Sequence, residues 1–168
     1  MTRKILCAVF AVLTVLWIVF VFSNSMENAQ ESTEKSDVVY EVVNDAAQSI
    51  GIEQEITHHT IRQGGHFVEF FVLGALAAAT AVAAFVPLLS ASAFPRLFIA
   101  FASLPFSAAI AVTDEYIQTF SDGRVCDIED VFTDAAGAFF GLAIVVAAFL
   151  LLKYFVGKRL KKRADDRA

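Results

Sequence analysis

The chain has 168 residues, of which 57 % are hydrophobic, and its formal net charge at pH 7 is −5. This length has room for one domain, residues 1–168. Its long apolar runs are apolar on all sides rather than along one stripe, which excludes an ordinary soluble helical domain. The composition therefore predicts an all-α membrane protein.

Four apolar runs are candidates for membrane-spanning helices, because about 20 apolar residues are needed to cross about 30 Å of hydrocarbon. The third run is short and contains Pro105, so we expect it to tilt, kink or extend. The pattern predicts a four-span transmembrane helical bundle. The predicted spans are residues 5–22, 67–89, 97–113 and 135–156.

The distribution of basic residues predicts the orientation of these spans. Ten of the 13 Lys and Arg residues fall on one side, which the positive-inside rule assigns to the cytoplasm. Both termini are then cytoplasmic, the acidic loops 23–66 and 114–134 lie outside, and the basic tail 157–168 lies near anionic lipid headgroups. A nucleic-acid partner is not expected, since this short tail begins at the membrane. Cys7 and Cys126 fall at opposite membrane faces, so no intramolecular disulfide is expected.

The alternative for the first apolar run is a cleaved signal peptide. Arg3 and Lys4 would suit the start of one. The run is longer than the usual signal-peptide core, however, and no Ala-x-Ala-like cleavage site follows it. We therefore expect a retained span.

The first outer loop contains an amphipathic segment, from Ser32 to Ile50, in which apolar residues recur at helical spacing. Gly51 is typical of a helix end. The segment predicts a helix on the outer surface or over the bundle. Its apolar side either binds a membrane or protein partner or packs on the neighbouring spans, and the sequence leaves both open.

Polar residues lead into the second span. Arg62, His66 and Glu69 are spaced i, i+4 and i+7, so they share one face of a helix that enters the membrane. An unpaired charge at that depth is costly, so we expect each of these side chains to have a polar or oppositely charged partner. The adjacent His58 and His59 are expected to be solvated loop residues, and no metal ligand is assigned.

A second polar group follows the third span. Asp114 and Gln118 lie one turn apart and are expected to face the bundle, whereas Glu115 should form a diverging row. Adjacent carboxylates at a membrane boundary need a neutralising cation. Arg62 and Arg124 are the arginines of the outer segments, so we expect them to pair with these acids.

A third polar group leads into the fourth span. Asp127, Asp130 and Asp134 form one stripe with Gly137 and Gly141. The Gly-x-x-x-Gly spacing allows another helix to approach closely. The acids also suit the positive end of the helix dipole, but three on one face exceed what capping needs.

Three motifs, in this order and at the ends of predicted spans, resemble the VanZ-like family of bacterial membrane proteins. They are the run from Arg62 to Gly74, the run from Asp114 to Phe120 with Gly123-Arg124, and the run from Asp130 to Asp134 with Gly137 and Gly141. The Phe22-Ser23 pair is also similar to that family. The chain departs from the family pattern at Gln63, Phe70 and Ile117, where a basic residue, a tyrosine and often a histidine are expected.

The resemblance implies a multi-pass protein of the bacterial plasma membrane. The family takes its name from a protein associated with low-level teicoplanin resistance, so a contribution to glycopeptide resistance is one expectation. We expect the functional residues to form a polar cluster at the outer membrane face. The candidates are Arg62, His66, Glu69, Asp114, Glu115, Gln118, Arg124, Asp127, Asp130 and Asp134.

Two functions fit this cluster. The first is a non-enzymatic envelope protein that binds a cell-wall precursor, a lipid headgroup or a glycopeptide. The alternative is a membrane-embedded enzyme acting on a lipid-linked or peptide substrate, for which Asp, Glu, His and Arg supply acid–base groups, a divalent-cation site or an anion clamp. Transport is the weaker hypothesis, because four spans are few for a carrier and a channel would require oligomerisation. The sequence names no cofactor and no reaction class.

Overall fold

The computed structural model describes residues 2–52, 56–85 and 100–166, and within these ranges the chain is helical with no strand. The predicted all-α class is therefore confirmed. The described ranges contain five helices. They are α1 (Thr2–Ser25), α2 (Ala29–Ser49), α3 (His58–Phe85), α4 (Ser103–Gln118) and α5 (Ile128–Asp165).

Three of these helices are long and apolar enough to span a membrane: Lys4–Ser25 in α1, His58–Ala84 in α3 and Ile128–Leu160 in α5. The third predicted span falls partly on α4. This helix has 16 residues, which corresponds to about 24 Å and is less than the hydrocarbon thickness. Residues 97–99 of that span, and 86–89 of the second, lie outside the described residues. The four-span bundle therefore stays a prediction.

The helices extend past the limits suggested by hydropathy. α3 begins at His58 rather than at residue 67, and α5 begins at Ile128 rather than at residue 135. Polar caps explain both starts, because Thr57 Oγ1 accepts from the backbone N–H of Thr60 (3.2 Å) and Asp127 Oδ1 from that of Glu129 (2.9 Å). The polar residues after each cap continue the helix, so His58 is helical rather than part of a loop.

The closest packing in the bundle joins α3 to α5. A Cβ placed on Gly137 or Gly141 would overlap the backbone carbonyl oxygens of Phe67 and Phe71, and one on Gly74 would overlap the backbone of Ala138. The close approach predicted from the Gly-x-x-x-Gly spacing is therefore present. It brings the backbones of the two helices into direct contact.

α1 completes the core on the other side of α3. Val21 is fully buried and packs with Phe70 and Leu73. The Trp17 indole N–H donates to the backbone carbonyl of Glu69 (2.8 Å). Because α1 supplies core contacts and hydrogen bonds to α3, it is a structural part of the bundle.

The outward faces of the long helices remain apolar. Only 11 % of the apolar window of α1 is buried within the protein. Exposed large side chains include Val12 and Val15 on α1 and Ile144 and Leu151 on α5. Monomeric soluble proteins rarely expose continuous apolar surfaces of this kind. The surface is that of a helix bundle solvated by lipid.

α2 matches the predicted amphipathic segment, and it begins at Ala29 with a capping box between Asn28 and Glu31. Its buried residues are Asn44 and Ala47. The Asn44 side chain accepts from the backbone N–H of Ile56 (2.8 Å) and donates to the Ile56 carbonyl (3.1 Å). Most of the valine side of α2 is exposed, so polar contacts rather than valine packing hold the helix against the start of α3.

The predicted basic tail continues α5 as far as Asp165. The helix has 38 residues, which corresponds to about 57 Å. Lys162 and Arg163 lie in its last turn, where cations interact favourably with the helix dipole. Residues 167–168 lie outside the described range.

We predict that Gly141→Ala destabilises the protein by about 1–3 kcal/mol, because the added methyl group forces two backbones apart. Gly157→Ala is the matched control on the same helix, since a Cβ at Gly157 meets no atom within 4 Å. The control should be neutral or slightly stabilising. Thermal unfolding of the two variants in one detergent measures the difference. Equal stability would contradict the close α3–α5 packing.

Candidate functional site

Four helix termini meet at one end of the bundle, which we call the polar end: the ends of α1 and α4 and the starts of α3 and α5. The loop 119–127 joins α4 to α5 there. Buried polar side chains concentrate at this end. They are Ser25, His66, Asp114, Glu115, Gln118, Ser121, Asp130 and Asp134.

At the centre of the polar end lie a histidine and three carboxylates from three helices. His66 of α3, Asp114 and Glu115 of α4 and Asp134 of α5 are all buried. One donor atom from each lies within 4.8 Å of the others. His66 Nδ1 lies 3.2 Å from Asp134 Oδ1. We call this group the four-residue cluster.

Neighbouring groups fix the two acids of α4. The Ser25 hydroxyl donates to Asp114 Oδ1, and Gln118 Nε2 donates to Asp114 Oδ2 (3.2 Å). The backbone N–H of Asp127 donates to Glu115 Oε2 (2.7 Å). The prediction that Glu115 diverges from the bundle was wrong, because the loop 119–127 folds back and α5 covers this side of α4 as well. Glu115 and Asp114 are both about 1 % exposed or less.

Several buried atoms of the polar end have no hydrogen-bond partner among the described residues. They are Glu115 Oε1, Asp130 Oδ1, Asp134 Oδ2 and Arg62 Nε. Buried carboxylate oxygens normally accept a hydrogen bond or bind a cation. These oxygens can therefore accept a hydrogen bond from a further group or bind a cation.

The two arginines of the polar end differ in their partners. Arg62 Nη2 donates to Asp130 Oδ2 at 3.2 Å, which confirms that Arg62 pairs with one of the acids. The direct pairing expected for Arg124 was wrong: within the described ranges it forms no ion pair, and Nη1 donates to the backbone carbonyl of Asn24 (3.4 Å). The reason is geometric, since the loop places Arg124 over the end of α1. Burial and the nearby Arg62 guanidinium lower the pKa of Arg124.

Glu69 lies apart from the four-residue cluster. Its Oε1 accepts from Asn24 Nδ2 of α1 at 2.7 Å. Glu69 therefore links α3 to α1, while His66, one turn earlier on α3, contacts Asp134 of α5. The face of α3 that Glu69 and His66 were predicted to share therefore points between α1 and α5, with Glu69 on the α1 side and His66 on the α5 side.

A polar pocket of about 240 Å³ opens beside the four-residue cluster, between the starts of α2 and α3 and the loop 119–127. Arg62 and Arg124 line it together with two histidines and three hydroxyls, and no carboxylate belongs to its described lining. We call it the arginine pocket. Its lining residues are Ala29, Ser32, Thr33, Ser36, His58, His59, Arg62, Gly123 and Arg124.

A stacked ring pair lies beside the arginine pocket, and a separate cavity lies farther along the bundle. His58 stacks on Tyr40 with ring centroids 4.0 Å apart, and its Nδ1 lies 3.5 Å from Asp37 Oδ1. This larger cavity, of about 590 Å³, lies between α1, α3 and the start of α4. Its described lining is mostly apolar, with Thr14 and Thr80 among its few polar residues, and contains no charged residue. Charged chemistry is therefore concentrated at the polar end.

The structure brings all ten candidate residues to the polar end, where the Asp127 side chain caps α5 and its backbone N–H holds Glu115. Sequence reasoning missed the contributions of Asn24 and Ser25, which hold Glu69 and Asp114. It also missed the hydroxyls of Ser32, Thr33 and Ser36 in the arginine pocket. Asn24 and Ser25 directly follow the Phe22-Ser23 pair, and this position was the available signal.

A family model described as VanZ/LLP1 matches residues 10–152. The match includes the four-residue cluster and the arginine pocket. No curated protein and no solved structure gave a significant match to the chain.

We predict that Arg62→Ala destabilises the protein, because Asp130 is 1 % exposed and loses its partner. The cost should be below the about 3–5 kcal/mol typical of fully buried pairs, since the Arg62 side chain is 40 % exposed. Adding Asp130→Asn should restore part of the loss in thermal stability. Lys35→Ala is the control, because its pair with Glu27 is exposed and should contribute at most about 1 kcal/mol. Equal effects at Arg62 and Lys35 would show that Arg62 is solvated.

Proposed function

Since the chain belongs to the VanZ/LLP1 family, we propose that it is an integral protein of the bacterial plasma membrane that binds an anionic envelope molecule at its polar end. The ligand class is a phosphate-bearing lipid or lipid-linked cell-wall precursor. The observation that carries this proposal is the arginine pocket, in which two guanidinium groups and three hydroxyls line one cavity.

The chemistry of the pocket favours an anion. Guanidinium groups bind phosphate and carboxylate oxygens through paired, charge-assisted hydrogen bonds. Arg124 is the better candidate for the first contact, because it has no ion-pair partner within the described residues, whereas Arg62 is tied to Asp130. The Thr33 and Ser36 hydroxyls already donate to backbone carbonyls of α2, so the Ser32 hydroxyl is the one that can donate to the same oxygens without breaking such a bond.

The location of the pocket favours a ligand that is itself part of the membrane. The pocket lies at the ends of helices whose outer surfaces are apolar, so a headgroup can enter it while the attached chains stay in the hydrocarbon. The excess of basic residues near the termini supports the orientation in which the polar end faces outside. The core contacts of α1 support its retention as a span rather than its removal as a signal peptide.

A contribution to teicoplanin resistance fits this proposal, since a protein that holds an envelope precursor or headgroup can alter the response to a glycopeptide. Membership of the VanZ/LLP1 family supports a role in the cell envelope. The resistance phenotype itself is the most specific part of the proposal.

The second candidate is an enzyme that acts on the bound headgroup. The observation that favours it is the four-residue cluster beside the arginine pocket, since an imidazole and carboxylates are the usual groups for proton transfer. In this case the pocket would position the substrate and the cluster would supply the reacting groups. Conversion of the ligand, rather than binding alone, would distinguish the two functions.

We predict that the purified full-length chain in neutral lipid nanodiscs binds a short-chain polyprenyl phosphate more tightly than the uncharged polyprenol of the same length. Arg124→Gln should weaken phosphate binding by about tenfold or more, because a charge-assisted hydrogen bond contributes about 1.5–3 kcal/mol. Titration calorimetry measures both affinities. Arg159→Gln, an exposed arginine in the tail, is the control.

Equal binding of the phosphate and the alcohol, or an equal effect of the two arginine variants, would refute the anion pocket. In cells, Arg124→Gln should keep its membrane level and lose any change in glycopeptide susceptibility that the intact gene confers. A full phenotype with Arg124→Gln would separate resistance from anion binding.

Orientation gives another prediction, which uses Cys126 in the exposed part of the loop 119–127. In a Cys7→Ser background, a membrane-impermeant maleimide should label Cys126 in intact cells. Partial desolvation and the nearby carboxylates of Glu115 and Asp127 raise the pKa of this thiol. Since the thiolate is the reactive form, labelling should be slower than for an ordinary thiol at pH 7, and its rate should still rise above about pH 8.5, where that of an ordinary thiol levels off. Labelling only after cell lysis would reverse the proposed orientation.

A further inference from the structure

The polar end holds more negative than positive charge. Glu69, Asp114, Glu115, Asp130 and Asp134 are five buried or half-buried carboxyl groups, whereas Arg62 and Arg124 provide two guanidinium groups. A surplus of buried carboxylates is unfavourable unless protons or cations neutralise it. Even with His66 counted as an imidazolium, these residues provide three positive groups for five carboxyl groups.

The hydrogen bonds point to the same conclusion independently of the charge balance. Glu115 and Asp134 are at most 1 % exposed, and each keeps one carboxylate oxygen without a partner among the described residues. Both side chains belong to the four-residue cluster. Polar oxygens that lie this deep are normally satisfied, so the site is incomplete without a further positive group.

We propose that His66, Asp114, Glu115 and Asp134 bind one divalent transition-metal ion, such as Zn²⁺ or Mn²⁺. The ion lies between α3, α4 and α5 and offsets two of the surplus negative charges. Because these three helices supply all four ligands, binding of the ion also holds the bundle together at its polar end.

The distances suit such an ion. Zinc lies about 2.0–2.2 Å from nitrogen and carboxylate ligands, so two ligands of a tetrahedral ion are about 3.3–3.6 Å apart. The donor atoms of the four-residue cluster lie within 4.8 Å of one another. His66 Nδ1 and Asp134 Oδ1 are already close to this separation at 3.2 Å, and side-chain rotations that move the more distant donors by about 1 Å bring all four into coordination distance.

The surrounding hydrogen bonds orient the ligands. His66 turns Nδ1 toward Asp134 Oδ1 at 3.2 Å, close to the separation of two ligands of one ion, so the ion takes the place of the proton between them and Nε2 carries the imidazole proton. Ser25 and Gln118 hold Asp114, and the backbone N–H of Asp127 holds Glu115. Metal ligands are commonly fixed in this way by hydrogen bonds to their outer atoms.

The donor set indicates the kind of ion. Mg²⁺ and Ca²⁺ are bound mainly by oxygen ligands, whereas imidazole favours transition metals. One imidazole with three carboxylates therefore suits Zn²⁺ or Mn²⁺ better than Mg²⁺. This inference goes beyond the proposed function and does not depend on it, because none of the four ligands lines the arginine pocket.

The test uses the full-length chain, purified in detergent through a tag without histidine and stripped with a chelator. After dialysis against Zn²⁺, Mn²⁺ or Mg²⁺, elemental analysis should find about one equivalent of Zn²⁺ or Mn²⁺ per chain and little Mg²⁺. Added Zn²⁺ or Mn²⁺ should also raise the unfolding temperature, because the ion binds only the folded state. Failure to retain either ion would assign the neutralisation to protons and overturn the proposal.

Variants locate the ion. Glu115→Gln should weaken metal binding by at least about tenfold, while its amide oxygen still accepts from the backbone of Asp127. Glu129→Gln, an exposed acid in the first turn of α5, should bind as the unchanged chain does. Equal binding by Glu115→Gln would place the ion elsewhere and refute the site.

A spectroscopic measurement covers the case in which Glu115→Gln does not fold. Mn²⁺ bound to the unchanged chain should show magnetic coupling to a nitrogen ligand, which the coordination by His66 requires. An all-oxygen signal would refute the assignment. Because Arg124→Gln tests the anion pocket and these experiments test the ion, either proposal can fail while the other stands.

Discussion

The polar end depends on the direct backbone contact between α3 and α5. Gly137 and Gly141 admit the backbone of α3, and Gly74 admits that of α5, so the two helices approach more closely than side chains would allow. This approach sets the distance between His66 and Asp134, which lie one helical turn or less from the first of these contacts. A wider helix pair would separate the imidazole from its carboxylate and leave both buried without a partner. The small residues and the charged residues therefore form one structural unit.

The cost of the buried acids explains the arrangement around them. Asp114 accepts from Ser25 and Gln118, Glu115 from the loop backbone, and Asp130 from Arg62. Apart from the Gln118 contact within α4, these contacts join the acids to other parts of the chain, so they also fix the helix ends relative to one another. Glu115 Oε1, Asp134 Oδ2 and Asp130 Oδ1 nevertheless have no partner among the described residues, whereas both oxygens of Asp114 accept hydrogen bonds. A site that bound nothing would have little reason to keep them unpaired.

The sequence predicted the helical class, the apolar surfaces and most of the residues at the polar end. Hydropathy and helical spacing report these features directly, and the Gly-x-x-x-Gly spacing likewise predicted the contact that Gly137 and Gly141 make. The helix limits were less predictable, because capping by Thr57 and Asp127 extends helices through polar residues that hydropathy assigns to loops. Glu115 and Arg124 were misjudged for one common reason. Their environment is set by the path of the loop 119–127, and a helical wheel contains no information about that path.

The contacts of the polar end also constrain the order in which the protein can be made. Ser25 and Asp114 are 89 residues apart in the chain, and Arg124 lies 100 residues from the Asn24 carbonyl that it contacts. When α1 and α3 leave the ribosome, the partners of Ser25 and His66 have not been synthesised. These polar groups must enter the membrane region with water or transient partners, because the contact of Ser25 forms only after α4 has followed and that of His66 only after α5 has. Biogenesis is therefore the stage at which the chain is most exposed to misassembly or to degradation by membrane proteases.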